Sequence, residues 1–151
     1  MGCTTGQMMA LILRILVVSG LLAAPAAAFA QAETPARGSP LRAAVLDALR
    51  PMVEAEVGKP VEFVVGDMRV VGEWAFVIAS PQRPGGGAVE YLYTRYQDAV
   101  DAGAFDGQAI ALLRQTPSGW LVYEYSLGAT DVVWADWGGR YPLPPEVFPG
   151  N

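Results

Sequence analysis

The sequence predicts an α+β fold: an N-terminal amphipathic helix packed on a curved antiparallel sheet of about four strands, arranged as two hairpins, with a short C-terminal helix. Three observations predict it. Leu41, Val45, Ala48, Leu49, Met52 and Val53 recur at three- and four-residue steps, which puts them on one face of a helix. From Val61 the period changes to two, and Val61, Phe63 and Val65 are answered after Gly72-Glu73 by Trp74, Phe76 and Ile78. A second pair of runs, Gln108–Gln115 and Trp120–Leu127, brackets Thr116-Pro117-Ser118-Gly119, whose proline and glycine suit a type I turn.

Taken in order, residues 1–30 form the pattern of a secretory signal. Arg14 is the positive flank, Ile15–Ala28 the apolar core, and Ala28-Phe29-Ala30 the small-residue site after which cleavage is expected. A spanning helix needs about 20 strongly apolar residues, whereas this run fades into alanine around Pro25. Cys3 lies ahead of the apolar core, where no lipidated cysteine would sit, and a start at Met8 or Met9 would give a shorter basic region. The expected location is the periplasm or the exterior, with no membrane anchor after cleavage. Residues 31–39 are expected as a flexible leader and residues 40–151 as a single domain.

Ser39 followed by Pro40 is a helix start, a hydroxyl cap before a proline whose missing N–H costs nothing there. Pro51 is expected to kink this helix and Gly58 to end it. Gly72-Glu73 is a two-residue hairpin loop, and Gly66-Asp67 marks a bulge in the strand before it. The stretch from Pro81 to Gly87 has no large apolar side chain to hold it and is expected to be exposed and mobile. Ala88–Tyr93 is expected as a short strand and Tyr96–Ala102 as a short helix closed by Gly103. Thr130 or Asp131 caps a further helix through Trp137, stopped by Gly138-Gly139, and Leu143, Val147 and Phe148 return the proline-rich tail to the domain.

Composition restricts the chemistry. Histidine is absent from the chain and its one cysteine, Cys3, goes with the signal, so the commonest general base, the commonest metal ligand and every thiol are missing from the mature part. Nine basic residues against fifteen acidic ones beyond residue 30 give a net charge of −6, with the bases scattered, which disfavours nucleic acid as a partner. Ser80, Ser118 and Ser126 have no histidine to activate them, and Lys59 stands beside Pro60 in a loop, so neither a triad nor a Ser–Lys dyad is expected. Asp98, Asp101 and Asp106 lack the alternating spacing of a calcium loop. Gly85-Gly86-Gly87 lacks the lysine spacing of a phosphate loop. No cofactor is expected.

The runs Pro60–Val65, Gly72–Val77, Ala111–Arg114, Gly119–Val122 and Gly128–Trp134 resemble a family of small exported bacterial proteins of unknown function, over nearly all of the mature chain. That resemblance implies export and these boundaries and lends no chemistry. More distantly, a helix on hairpins ending in Gly119-Trp120-Leu121-Val122 resembles cystatin-like and nuclear-transport-factor-like folds, which host enzymes, inhibitors and binding modules alike. Cystatins carry a Gln-x-Val-x-Gly loop in the first hairpin, which here closes at Gly72-Glu73 instead.

Two sets of side chains are candidate sites. Gln82 and Arg83 on the glycine loop, with Arg95 and Tyr96 beyond it, form an exposed polar cluster suited to gripping a protein, peptide or envelope component. Trp134 and Trp137 share one helix face beside Asp131 and Asp136, an arrangement that could stack a sugar in a pocket between helix and sheet or simply dock the helix on the core. Trp74 and Trp120, in alternating strands, are expected in the core. A non-enzymatic exported binding domain is the first expectation. A small-molecule or glycan binder or weak hydrolase near Trp134 and Trp137 is the second.

Overall fold

The computed structural model describes residues 31–150. The secretory signal expected over residues 1–30, with its cleavage site after Ala30, lies outside the described residues. Among the described residues no helix is long and apolar enough to cross a membrane.

Helix α1 covers Pro40–Val57. Ser39 caps it, its Oγ accepting the Arg42 N–H at 3.2 Å. The helix continues through Pro51, and Gly58, at φ 73°, ends it with its N–H on the Glu54 carbonyl at 2.9 Å. Val45, Leu49, Val53 and Val57 form its buried stripe.

Four antiparallel strands, β1 Glu62–Val71, β2 Trp74–Gln82, β3 Ala109–Thr116 and β4 Gly119–Leu127, form one open sheet in the order β1-β2-β3-β4. A short helix, α2 Gln97–Asp101, lies in the connection from β2 to β3. The register of β1 shifts between Val65 and Asp67, so Gly66 is the bulged residue. The bulge reverses the alternation: Phe63 and Val65 pack with α1 before it, Met68 and Val70 after it. A second shift sets Leu112 opposite Glu124 and Leu113 opposite Val122, which leaves Tyr123 as the extra residue of β4.

The central strands are buried on both faces. Ala75, Val77, Ala79, Ala109, Ala111 and Leu113 join the α1 stripe. Trp74, Phe76, Ile110 and Leu112 face the other way, onto Trp137, Val147 and Phe148 of the C-terminal segment. Apart from Leu113, the side chains these strands turn toward the helix are small, and those they turn toward the tail are large. The tail comprises α3 Trp137–Arg140 and a single 3₁₀ turn at Pro145–Val147.

Three sequence expectations are corrected. The leader is docked, since Glu33 and Val70 exchange both backbone hydrogen bonds at 2.8 Å and Pro35 is fully buried. Backbone groups can anchor a segment that has few apolar side chains to offer. Ala88–Tyr93 forms no strand: it pairs with none of the four strands, and the turn closed by Thr94 N–H on the Tyr91 carbonyl bends its end away from an extended course. The helix expected to end at Trp137 instead begins there, with turns over residues 133–136 and both Gly138 and Gly139 inside it. Burial of Trp137 and the Arg140–Asp136 pair at 3.3 Å hold that turn against the glycines.

Gly128, at φ 79°, carries the Phe105 ring directly against its Cα, and a Cβ there would stand 1.8 Å from Phe105 Cε2. Gly128→Ala is expected to destabilise the domain by about 2–4 kcal/mol through overpacking and backbone strain. The measurement is the urea midpoint, and an unchanged midpoint would show that Phe105 is not seated on this glycine.

Candidate functional site

The connection from β2 to β3 gathers most of the polar side chains that the sequence singles out, and Arg83 is its fixed point. Arg83 Nη1 donates to the Gly58 carbonyl at 2.6 Å and the Pro60 carbonyl at 3.1 Å, and Nη2 to the Val57 carbonyl at 2.7 Å. Carbonyls at a helix C-terminus have no helical partner and carry the negative end of the helix dipole, so a guanidinium fork suits them. The glycine loop is accordingly anchored: Arg83 N–H reaches the Gly87 carbonyl at 2.7 Å and Gly86 N–H the Arg83 carbonyl at 3.0 Å. Gln82 is half-buried as the last residue of β2, opposite Glu62. The expectation of a mobile loop offering Arg83 to a partner is thereby corrected, because its donors are engaged within the domain.

Arg95 turns toward the same end of α1. Its Nη2 lies 2.6 Å from Glu56 Oε1 and 2.7 Å from the Tyr96 hydroxyl, with the guanidinium 4.9 Å from the Tyr96 ring centroid. The hydrogen bond to Tyr96, and then the Glu56 carboxylate, hold the guanidinium pKa up. Beside it Tyr91, Tyr96 and Phe105 pack ring against ring, Phe105 lying 4.5 Å from Tyr91 and 5.2 Å from Tyr96. Burial raises the phenol pKa of Tyr91 and Tyr96, and most of all that of Tyr125, whose hydroxyl is buried with no hydrogen-bond partner. Glu56 and the neighbouring phenols add to the rise at Tyr125. Asp106 is a local cap, its Oδ1 accepting the Gln108 N–H at 2.8 Å. Among the described residues no three acidic side chains are grouped as a metal site.

The outer side of this connection carries residues that sequence reasoning missed. The turn Tyr91–Thr94 is closed by Thr94 N–H on the Tyr91 carbonyl at 3.1 Å, with the Thr94 hydroxyl donating to the same oxygen at 2.6 Å. Tyr93 holds the third position at φ 61°, left-handed backbone that such a turn ordinarily gives to glycine or asparagine. Its N–H is held by Gln97 Oε1 at 3.0 Å, and its side chain is 91% exposed. Leu92 is 55% exposed and Val100, on α2, 40%. Leu92 and Val100 line a cleft of about 360 Å³ with Glu90, Tyr91, Gln97 and Asp101. A period-two reading of Val89, Tyr91 and Tyr93 would put all three inward. The turn after Tyr91 sends Tyr93 outward, and nothing in the alternation signals it.

The second candidate set divides. Trp137 is only 3% exposed and belongs to the core, 6.4 Å from the Phe76 ring, which removes it from any stacking platform. Trp134 is half-buried, 5.2 Å from Phe76, and lines a cleft of about 370 Å³ with Leu143, Pro145 and Phe148. Asp131 is exposed and does not line it. Both indoles lie on the tail face of the sheet, opposite α1, so the expected pocket between helix and sheet near them is corrected to a cleft in the C-terminal segment.

Compared with protein-family models, with curated proteins and with solved structures, the chain gives no match.

Arg83→Ala is expected to lower stability by about 1–3 kcal/mol, since it leaves carbonyls of Val57, Gly58 and Pro60 without their donor. Arg83→Lys should recover only part, because an ammonium lacks the planar fork. Denaturant unfolding reads both, and an alanine variant as stable as the parent would remove Arg83 from the helix end.

Proposed function

We propose that the mature chain is an exported, non-enzymatic domain that binds a protein or peptide partner through the patch formed by Leu92, Tyr93 and Val100. The observation that carries this is Tyr93. A non-glycine residue at φ 61° costs about 1 kcal/mol or more relative to glycine at that position, and here the cost supports an aromatic ring turned almost wholly into solvent. Large exposed aromatics beside aliphatic side chains are the usual anchors of protein interfaces. The patch rises from a segment pinned at Arg83, Arg95 and Phe105, with α1 and the sheet as its scaffold, so little ordering is left for binding to impose. A mature chain without histidine or thiol accords with a binding role rather than acid–base or nucleophilic chemistry.

Trp134 favours a second reading, a glycan or small apolar molecule stacked in the tail cleft, and ligand-dependent quenching of tryptophan fluorescence by cell-wall fragments would distinguish it.

Tyr93→Gly separates function from stability. The variant is expected to unfold at the same or a slightly higher temperature, by relief of the left-handed strain, while losing capture of its partner from envelope extract. A variant that captures its partner undiminished would end the proposal, whatever its melting temperature.

A further inference from the structure

We infer that the segment recognised at this patch is cationic and apolar: a Lys or Arg side chain laid along the cleft between residues 90–92 and α2, next to an aliphatic or aromatic residue packed on Tyr93. The inference rests on the binding role proposed for the patch and adds the chemistry of the occupant. The cleft is lined by Tyr91, Leu92, Gln97 and Val100, with Glu90 beside the turn and Asp101 on α2 lining it as well. Asp98 stands three residues before Asp101 and so on its side of α2. None of these three carboxylates has a salt-bridge partner among the described residues. The nearest base along the chain, Arg95, is held by Glu56 and Tyr96 and does not line the cleft. An apolar or anionic occupant would strip water from these carboxylates and return nothing. A lysine or arginine returns both parts of the site, its methylene stem covering Leu92 and Val100 while its head reaches the acidic rim. A volume of about 360 Å³ admits one or two such side chains and no folded element.

The test uses three short labelled peptides in which leucine alternates with lysine, serine or glutamate, titrated with the purified protein and followed by fluorescence anisotropy. The lysine peptide is expected to bind best and to weaken as salt is raised. The double variant Glu90→Gln/Asp101→Asn should weaken it by at least about fivefold. A charge-matched control, Asp131→Asn/Glu146→Gln, changes two exposed acids that do not line the cleft and should leave binding alone. Equal loss in the two double variants would mean general attraction to an acidic protein and overturn the inference. Equal binding of the serine and lysine peptides, both lost with Tyr93→Gly, would keep the patch as a binding surface and overturn its cationic preference. If no peptide binds, the inference falls, while partner capture by the parent and by Tyr93→Gly still decides the binding role itself.

Discussion

The structure turns on the two central strands, which are apolar on both sides and must be covered twice. Trp74 to Ala79 in β2 and Ala109 to Leu113 in β3 are unbroken apolar runs. Both largely alternate small and large residues in step with the pleat, so alanines and Val77 fall on one face, with Leu113 at its end, and Trp74, Phe76, Ile110 and Leu112 on the other. On the α1 face Leu49 and Val53 share one core cluster with Ala75 and Ala111, the helix lying over β3 and β4. The large face would be a water-exposed aromatic surface without Trp137, Val147 and Phe148. At about 1.5–3 kcal/mol for each large side chain buried, the C-terminal segment contributes as a cover of the core and not as an appendage.

The end of α1 is organised by arginines drawn from elsewhere in the chain. The last turn of the helix contains no basic residue, and its carbonyls are met by Arg83 from the β2–β3 connection. Arg50 donates to the Val61 carbonyl, Glu54 accepts the Val61 N–H at 3.1 Å, and Arg95 pairs with Glu56. The bonds of Arg83 and Arg95 fix the β2–β3 connection, which has no strand partner of its own. A long loop would otherwise be a poor platform for recognition, because ordering it on binding costs conformational entropy. Pinned at its base, it can present Leu92 and Tyr93 without that loss.

Much of the architecture is legible in the sequence where one residue pattern has one physical solution. The Ser39-Pro40 start, the Gly58 end, the Gly66 bulge, both hairpin turns and the inward return of Val147 and Phe148 each follow from a local rule. The errors fall where a local rule had a competitor at long range. A leader of small and polar residues reads as flexible until Glu33 and Val70 exchange a pair of backbone hydrogen bonds. A glycine-rich loop reads as mobile until the guanidinium of Arg83 finds three carbonyls more than twenty positions back in the chain. Gly138-Gly139 reads as a helix stop until Trp137 is buried and holds the turn that contains them.

The candidate site shows the same division. The sequence by itself determined the chemistry this protein lacks, through the absence of histidine and of any cysteine beyond Cys3, and its acidic balance, since these are counts that no folding can alter. It also determined the strands and the principal helix, since period and capping are local properties of the chain. Only the tertiary structure decided which polar side chains are engaged and which are free. Arg83 and Arg95 look alike in sequence as exposed bases, yet Arg83 is bound to the end of α1 and Arg95, still exposed, is paired with Glu56 and Tyr96, whereas Tyr93, which alternation would bury, stands in solvent. A side chain's availability depends on what the rest of the chain brings to it, and that is set by packing rather than by neighbours in sequence.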